Sequence, residues 1–127
     1  MKFKKSLIYL LFMLIILTIT ACSTSLDQGK YDTFAKALTE KDVKMYGTEW
    51  CSHCKNQKEL FGTSFQYINY IDCDKESYVC DAAGVKGFPT WKINGELYPG
   101  EQSMVELSEL SGVELTFDLE DSENTKK

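Results

Sequence analysis

The chain contains no arginine: all 14 of the Lys+Arg positions in its 127 residues are lysine. Without a guanidinium no bidentate clamp for phosphate or carboxylate groups can be built, so chemistry centred on anionic ligands loses its usual tool. Positive charge is scarce as well. The 19 Asp+Glu outweigh the lysines to give a formal charge of -5, and Lys2, Lys4 and Lys5 sit in the first 21 residues, so the remainder is more acidic still. An acidic surface repels the phosphate backbone, which excludes nucleic acid as a partner. Histidine occurs once, at position 53, and no internal repeat is evident. What remains, 43% hydrophobic and 26% charged residues, is the composition of one ordinary globular domain with a single compact core.

The N-terminus has a different character. A basic start is followed by an apolar run from Leu7 to Ile19, short of the roughly 20 residues that a membrane span requires, which is the layout of a secretory signal. The run ends in Ile19-Thr20-Ala21-Cys22, which resembles the bacterial lipobox, where a small residue precedes a cysteine that is lipidated and becomes the new N-terminus. Residues 1–21 are therefore expected to be a lipoprotein signal peptide, with lipidation at Cys22; an uncleaved anchor, or plain secretion with Cys22 as a free thiol, are the alternatives. Each version places the domain outside the cytoplasm, where disulfides persist, and the lipoprotein version places it at the extracytoplasmic face of the membrane, in the cell envelope. Residues 22–29, polar and small, read as a tether.

Five cysteines is an odd number; assigning Cys22 to lipid leaves Cys51, Cys54, Cys73 and Cys80. Apolar residues at helical spacing (Phe34, Ala35, Leu38) predict a helix to about Glu40, and Val43, Met45 and Tyr46 predict a short strand ending at Gly47. The Cys51-Ser52-His53-Cys54 motif falls where this strand gives way to a helix over 52–61, stopped by Gly62. Alternation of aromatic and β-branched with polar residues predicts a strand over 65–74. A helical turn over 76–83 follows, then a hairpin with Thr90 to Ile93 and Glu96 to Tyr98 joined by Asn94-Gly95, and a last helix over 103–110. The domain is expected to span 30–112. Residues 113–127 open with an apolar patch (Val113, Leu115, Phe117), run into an acidic stretch, and are expected to form a disordered tail.

A C-x-x-C pair can hold a metal, staple a fold or exchange electrons. Metal binding fits poorly, because six residues separate Cys73 from Cys80 where a second zinc knuckle wants about two to four. An inert staple has little value over so short a loop as 51–54. Redox exchange fits best: the nucleophile is a thiolate, and a helix N-terminus supplies N–H donors and partial positive charge to stabilise one. Cys73 and Cys80, a strand end and the next helix, are close enough in sequence to bond; a structural disulfide is expected, with a second redox pair or two free thiols as alternatives.

The order strand, C-x-x-C at a helix start, strand, helix, then a proline opening a hairpin resembles the thioredoxin fold, an α/β architecture with a central mixed sheet flanked by helices and a cis-proline loop facing the C-x-x-C. More narrowly, "MYGTEWCSHCKNQKELFG" with "GFPTWKINGELYPG" resembles the thioredoxin-like domain associated with bacterial vitamin K epoxide reductase homologues. The resemblance implies thiol-disulfide exchange with Cys51 attacking and Cys54 resolving, and with Phe88-Pro89-Thr90 as the cis-proline loop. Where ordinary thioredoxins carry a buried strand carboxylate, six residues before the first cysteine, this chain has Met45. Ser52-His53 resembles the x-His dipeptide of periplasmic oxidases, and a His53 that stabilises the Cys51 thiolate makes the disulfide more oxidising. Trp50, Phe88 and Thr90 are the expected substrate-binding residues, with Pro89 presenting backbone to an extended peptide; Trp91, inside a strand, reads as core.

Together these readings describe a membrane-tethered, monomeric oxidoreductase without resident cofactor or metal. It would act on protein thiols or disulfides and be reoxidised by a membrane quinone-linked oxidase such as a vitamin K epoxide reductase homologue. A reductase of the same fold, serving cytochrome maturation or repair, is the alternative, and a metal-binding lipoprotein the third.

Overall fold

The computed structural model describes residues 29–118; the expected signal peptide, Cys22 with nearly all of the tether, and residues 119–127 lie outside the described residues. The elements are α1 (Asp32–Glu40), β1 (Lys44–Gly47), α2 (Ser52–Phe61), a 3₁₀ helix (Gly62–Tyr67), β2 (Asn69–Asp72), α3 (Ser77–Ala83), β3 (Thr90–Ile93), β4 (Glu96–Pro99) and α4 (Met104–Ser111). The strands form one mixed sheet in the order β2-β1-β3-β4, with β1 parallel to β2 and antiparallel to β3. This is the thioredoxin-like fold: α2 carries the chain from β1 to its parallel neighbour, and the β3–β4 hairpin closes the other side.

Alternation along β1 divides the interior in two. Met45 packs with Phe34, Ala35 and Leu38 of α1, Cys54 and Phe61 of α2, Trp91 and Ile93 of β3, and Leu107 of α4, forming the larger core. Tyr46, the next residue, belongs to a smaller cluster with Cys73, Cys80 and Val85. The hairpin turn forms as its sequence predicts: Asn94 and Gly95 have φ of 52° and 88°, the pair of positive values that a two-residue type I′ turn demands.

Two expectations are corrected. The strand predicted over 65–74 is only Asn69–Asp72, because the chain first winds through the 3₁₀ helix. There Ser64 is buried and its hydroxyl accepts from the Tyr31 N–H at 2.9 Å, while Phe65 meets Phe61 and Tyr70 edge-on. These partners outweigh the alternating pattern, which is a weak preference. The second correction concerns the domain end. Val113 is buried in the larger core and Leu115 packs against it; the Asp118 carboxylate accepts from the Thr33 N–H at 2.7 Å and the Thr33 hydroxyl at 2.6 Å. Residues 113–118 thus belong to the folded unit, not to a disordered tail. They supply the cap that α1 lacks locally, since the Tyr31 side chain caps nothing and the first N–H groups of any helix need an acceptor. Among the described residues no helix is long and apolar enough to cross a membrane.

Candidate active site at the Cys51–Cys54 pair

Cys51 occupies the N-cap of α2, in extended backbone conformation, and its side chain caps nothing. Its Sγ is instead turned to the loop before β3, donating to the Phe88 carbonyl at 3.5 Å. The bond that follows that carbonyl, Phe88-Pro89, is cis, so the proline loop and the helix start meet at this sulfur as the resemblance implies. Cys51 keeps 8% of its surface exposed while Cys54, one turn into α2, has none. Both thiols are free. Burial pushes the Cys54 thiol up to about 11, against the pull of the Thr48 backbone N–H directed at it. One cysteine is thus reachable from outside and its neighbour is held back.

His53 lies between them, but its ring makes its contact elsewhere. Nδ1 is 2.6 Å from Glu101 Oε1, and Asn56 donates to the same oxygen at 3.2 Å. The His53 contact first, and Asn56 second, hold the Glu101 carboxyl below the usual range, so the carboxylate accepts and Nδ1 carries the hydrogen. The expected contact from His53 to a cysteine sulfur is absent among the described residues; the side chain, 69% exposed, is anchored by Glu101 beside the pair. Behind it stands Gln57, fully buried. Its Oε1 accepts from Trp91 Nε1 at 3.1 Å and Gln102 N–H at 2.7 Å, and its Nε2 donates to the Gln102 carbonyl at 3.0 Å. A buried amide with all these bonds made ties α2 to the 101–103 segment and so places Glu101. Neither Glu101 nor Gln57 is legible in the sequence, because their partners are 34 to 48 positions away.

Trp50 is 68% exposed, its ring edge-on to Phe88 at 6.3 Å and its Nε1 donating to Asp74 at 3.2 Å, so an apolar face stands open next to Cys51. Phe88 is half-buried, Pro89 and Trp91 fully so. Thr90 is buried too, with its hydroxyl donating to the Gly87 carbonyl at 2.8 Å; its side chain holds the proline loop and is closed to a ligand. Cys73 and Cys80 form a disulfide, with Cα atoms 5.8 Å apart. That bond leaves them no thiolate to ligate with, and among the described residues no group of three or more His, Cys, Asp or Glu could hold a metal.

The chain is similar to thiol-disulfide oxidoreductases. It is 41% identical over 90 residues to the thiol-disulfide oxidoreductase LTO1 of Arabidopsis thaliana, covering 64% of this chain and 24% of that one. It is 31% identical over 102 residues to the probable protein disulfide-isomerase ER-60 of Schistosoma mansoni, covering 70% and 21%. The chain therefore spans about a quarter or less of these relatives' length. A solution structure of the oxidised thioredoxin from Plasmodium falciparum aligns with a TM-score of 0.40 and 20% identity, over 63% of this chain and 88% of that one. No protein-family model matches.

Proposed function

We propose that this protein is a thiol-disulfide oxidoreductase that exchanges disulfides with protein thiols through Cys51 and Cys54, working as an oxidant while tethered to the extracytoplasmic face of a membrane. The observation that carries the reading is the Cys51 sulfur, at a helix start and against the carbonyl that precedes cis-Pro89. In the oxidising direction a substrate thiolate attacks Cys51 of the disulfide form. A Cys51–substrate bond forms, the Cys51–Cys54 bond breaks, and the electron pair leaves on Cys54. A second substrate thiolate then attacks the substrate sulfur and releases Cys51, so two electrons pass from two thiols to the pair. A membrane quinone-linked oxidase, such as a vitamin K epoxide reductase homologue, would take those electrons away.

Equilibration of the pair against glutathione buffers tests the direction. Oxidation expects a potential nearer about -120 mV than about -270 mV. His53→Pro should lower it by about 30 mV or more, the equivalent of a tenfold loss in stability of the reduced form. A value near the lower figure makes the protein a reductase, and an unchanged potential in the variant removes His53 from the redox chemistry.

The tether rests on the sequence ending in Ala21-Cys22. Cys22→Ser should abolish acyl labelling and membrane partitioning while leaving exchange intact. Labelled lipid that survives the change places the anchor elsewhere.

A further inference from the structure

Cys54 is the leaving group of the proposed oxidising step, and a thiol leaves faster the better its negative charge is stabilised. Full burial works against that charge. The β1 residue that shares the core with Cys54 is the apolar Met45, which can neither donate to a thiolate nor exchange a proton with it. Gly47 reveals what else is near. A side-chain carbon placed on Gly47 would lie 2.8 Å from Cys54 Sγ, 3.1 Å from Tyr70 Cε2 and 3.4 Å from the Tyr70 hydroxyl oxygen. The sulfur and the phenol therefore both close in on the bare α-carbon of Gly47, so tightly that a side chain at position 47 would clash with them. That hydroxyl is buried and, among the described residues, has no hydrogen-bond partner. An unpartnered buried donor is costly and rare.

The phenol is also held in place. The Lys58 ammonium lies 4.1 Å from the centroid of the Tyr70 ring while bonding Glu49 at 2.6 Å, and Phe65 packs edge-on against the ring at 5.7 Å.

We propose that the Tyr70 hydroxyl is the donor that receives the charge on Cys54 as this sulfur leaves Cys51. The assignment deepens the proposed function and rests on it. The electron pair of the broken Cys51–Cys54 bond stays on Cys54 Sγ, stabilised by Tyr70 O–H and Thr48 N–H, until the thiolate takes a proton from solvent. The charged groups around Cys54 and Tyr70 are Lys58, Glu49, Asp72 and Asp74. Burial first, then Glu49 and Asp72, raises the Tyr70 phenol above its ordinary value, so it stays a protonated donor through the neutral range.

Oxidised full-length protein and reduced glutathione provide the test. Tyr70→Phe should slow formation of the mixed disulfide about threefold to tenfold. In a Cys51→Ser background, the same change should move the Cys54 titration, followed by thiolate absorbance, upward by about one pH unit, as expected for one lost hydrogen bond to a charged group. An unchanged rate or an unchanged midpoint overturns the assignment. Loss of an unpartnered hydroxyl should not lower the unfolding temperature. Should the variant unfold early all the same, a fluorinated tyrosine at position 70, a stronger donor of nearly the same shape, decides instead: it should shift both readouts the opposite way, and no shift overturns the assignment. If the parent protein does not exchange with glutathione, the proposed function itself falls; if the parent exchanges and the variants match it, only the role of Tyr70 does.

Discussion

Cys51→Ala is expected to abolish disulfide exchange and to leave the fold intact. The first half follows from chemistry: in exchange a thiolate attacks a disulfide sulfur, a methyl group can be neither, and of the two cysteines at this site Cys51 is the one with exposed surface, Cys54 having none. The second half follows from geometry. N-cap residues normally matter because their side chains accept from the first N–H groups of the helix, and losing such a cap costs about 1 kcal/mol. Cys51 makes no such bond, and the capping contribution of its backbone, the carbonyl that accepts from Lys55 N–H at 3.1 Å, survives the substitution. An insulin-reduction or thiol-oxidation assay beside a thermal melt separates the two halves. Full activity in the variant would sink the assignment of Cys51 as the reacting sulfur.

The second large effect is expected at the other pair of cysteines. Cys73→Ser with Cys80→Ser should cost about 2–3 kcal/mol by the chain-entropy account of a short closed loop, a fall in unfolding temperature on the order of 10–20 °C for a domain of this size. Position reinforces the effect. Both sulfurs are buried in the smaller core with Tyr46 and Val85, and Phe88 packs on that cluster; the bridge therefore supports the side of the fold from which the Phe88-Pro89 loop reaches Cys51. Graded reduction followed by alkylation and mass mapping provides an independent check. Cys51 and Cys54 should label first, and Cys73 and Cys80 only at poise below about -300 mV, where structural disulfides yield. One shared potential for all four, with exchange lost in the double variant although it still folds, would make the second pair an electron relay.

Helix α2, the hairpin and the place of the redox pair were legible in the sequence, and for a common reason: each is set by neighbours in the chain. Gly62 ends α2, and Asn94-Gly95 satisfies a turn whose two positive φ angles exclude most other residues. The strand-to-helix junction puts Cys51 at an N-terminus whatever the rest of the fold does. The cysteine count, once Cys22 was set aside, left Cys73 and Cys80 to each other.

Tertiary structure decided the rest, because the deciding partners are far along the chain. The alternation at 65–67 reads as a strand until Tyr31, 33 positions from Ser64, claims the Ser64 hydroxyl. Residues 113–118 read as a tail until Asp118 caps α1 from 85 positions away. His53 reads as a partner for the sulfur that precedes it by two, yet Glu101, 48 positions on, accepts its ring hydrogen. Tyr70 reads only as a strand aromatic, and becomes a candidate donor because the parallel pairing of β1 with β2 sets it opposite Met45, and its phenol and the Cys54 sulfur both pack against the bare α-carbon of Gly47. Local spacing determines which residues can perform exchange; what surrounds their charge is determined by contacts that no local window contains.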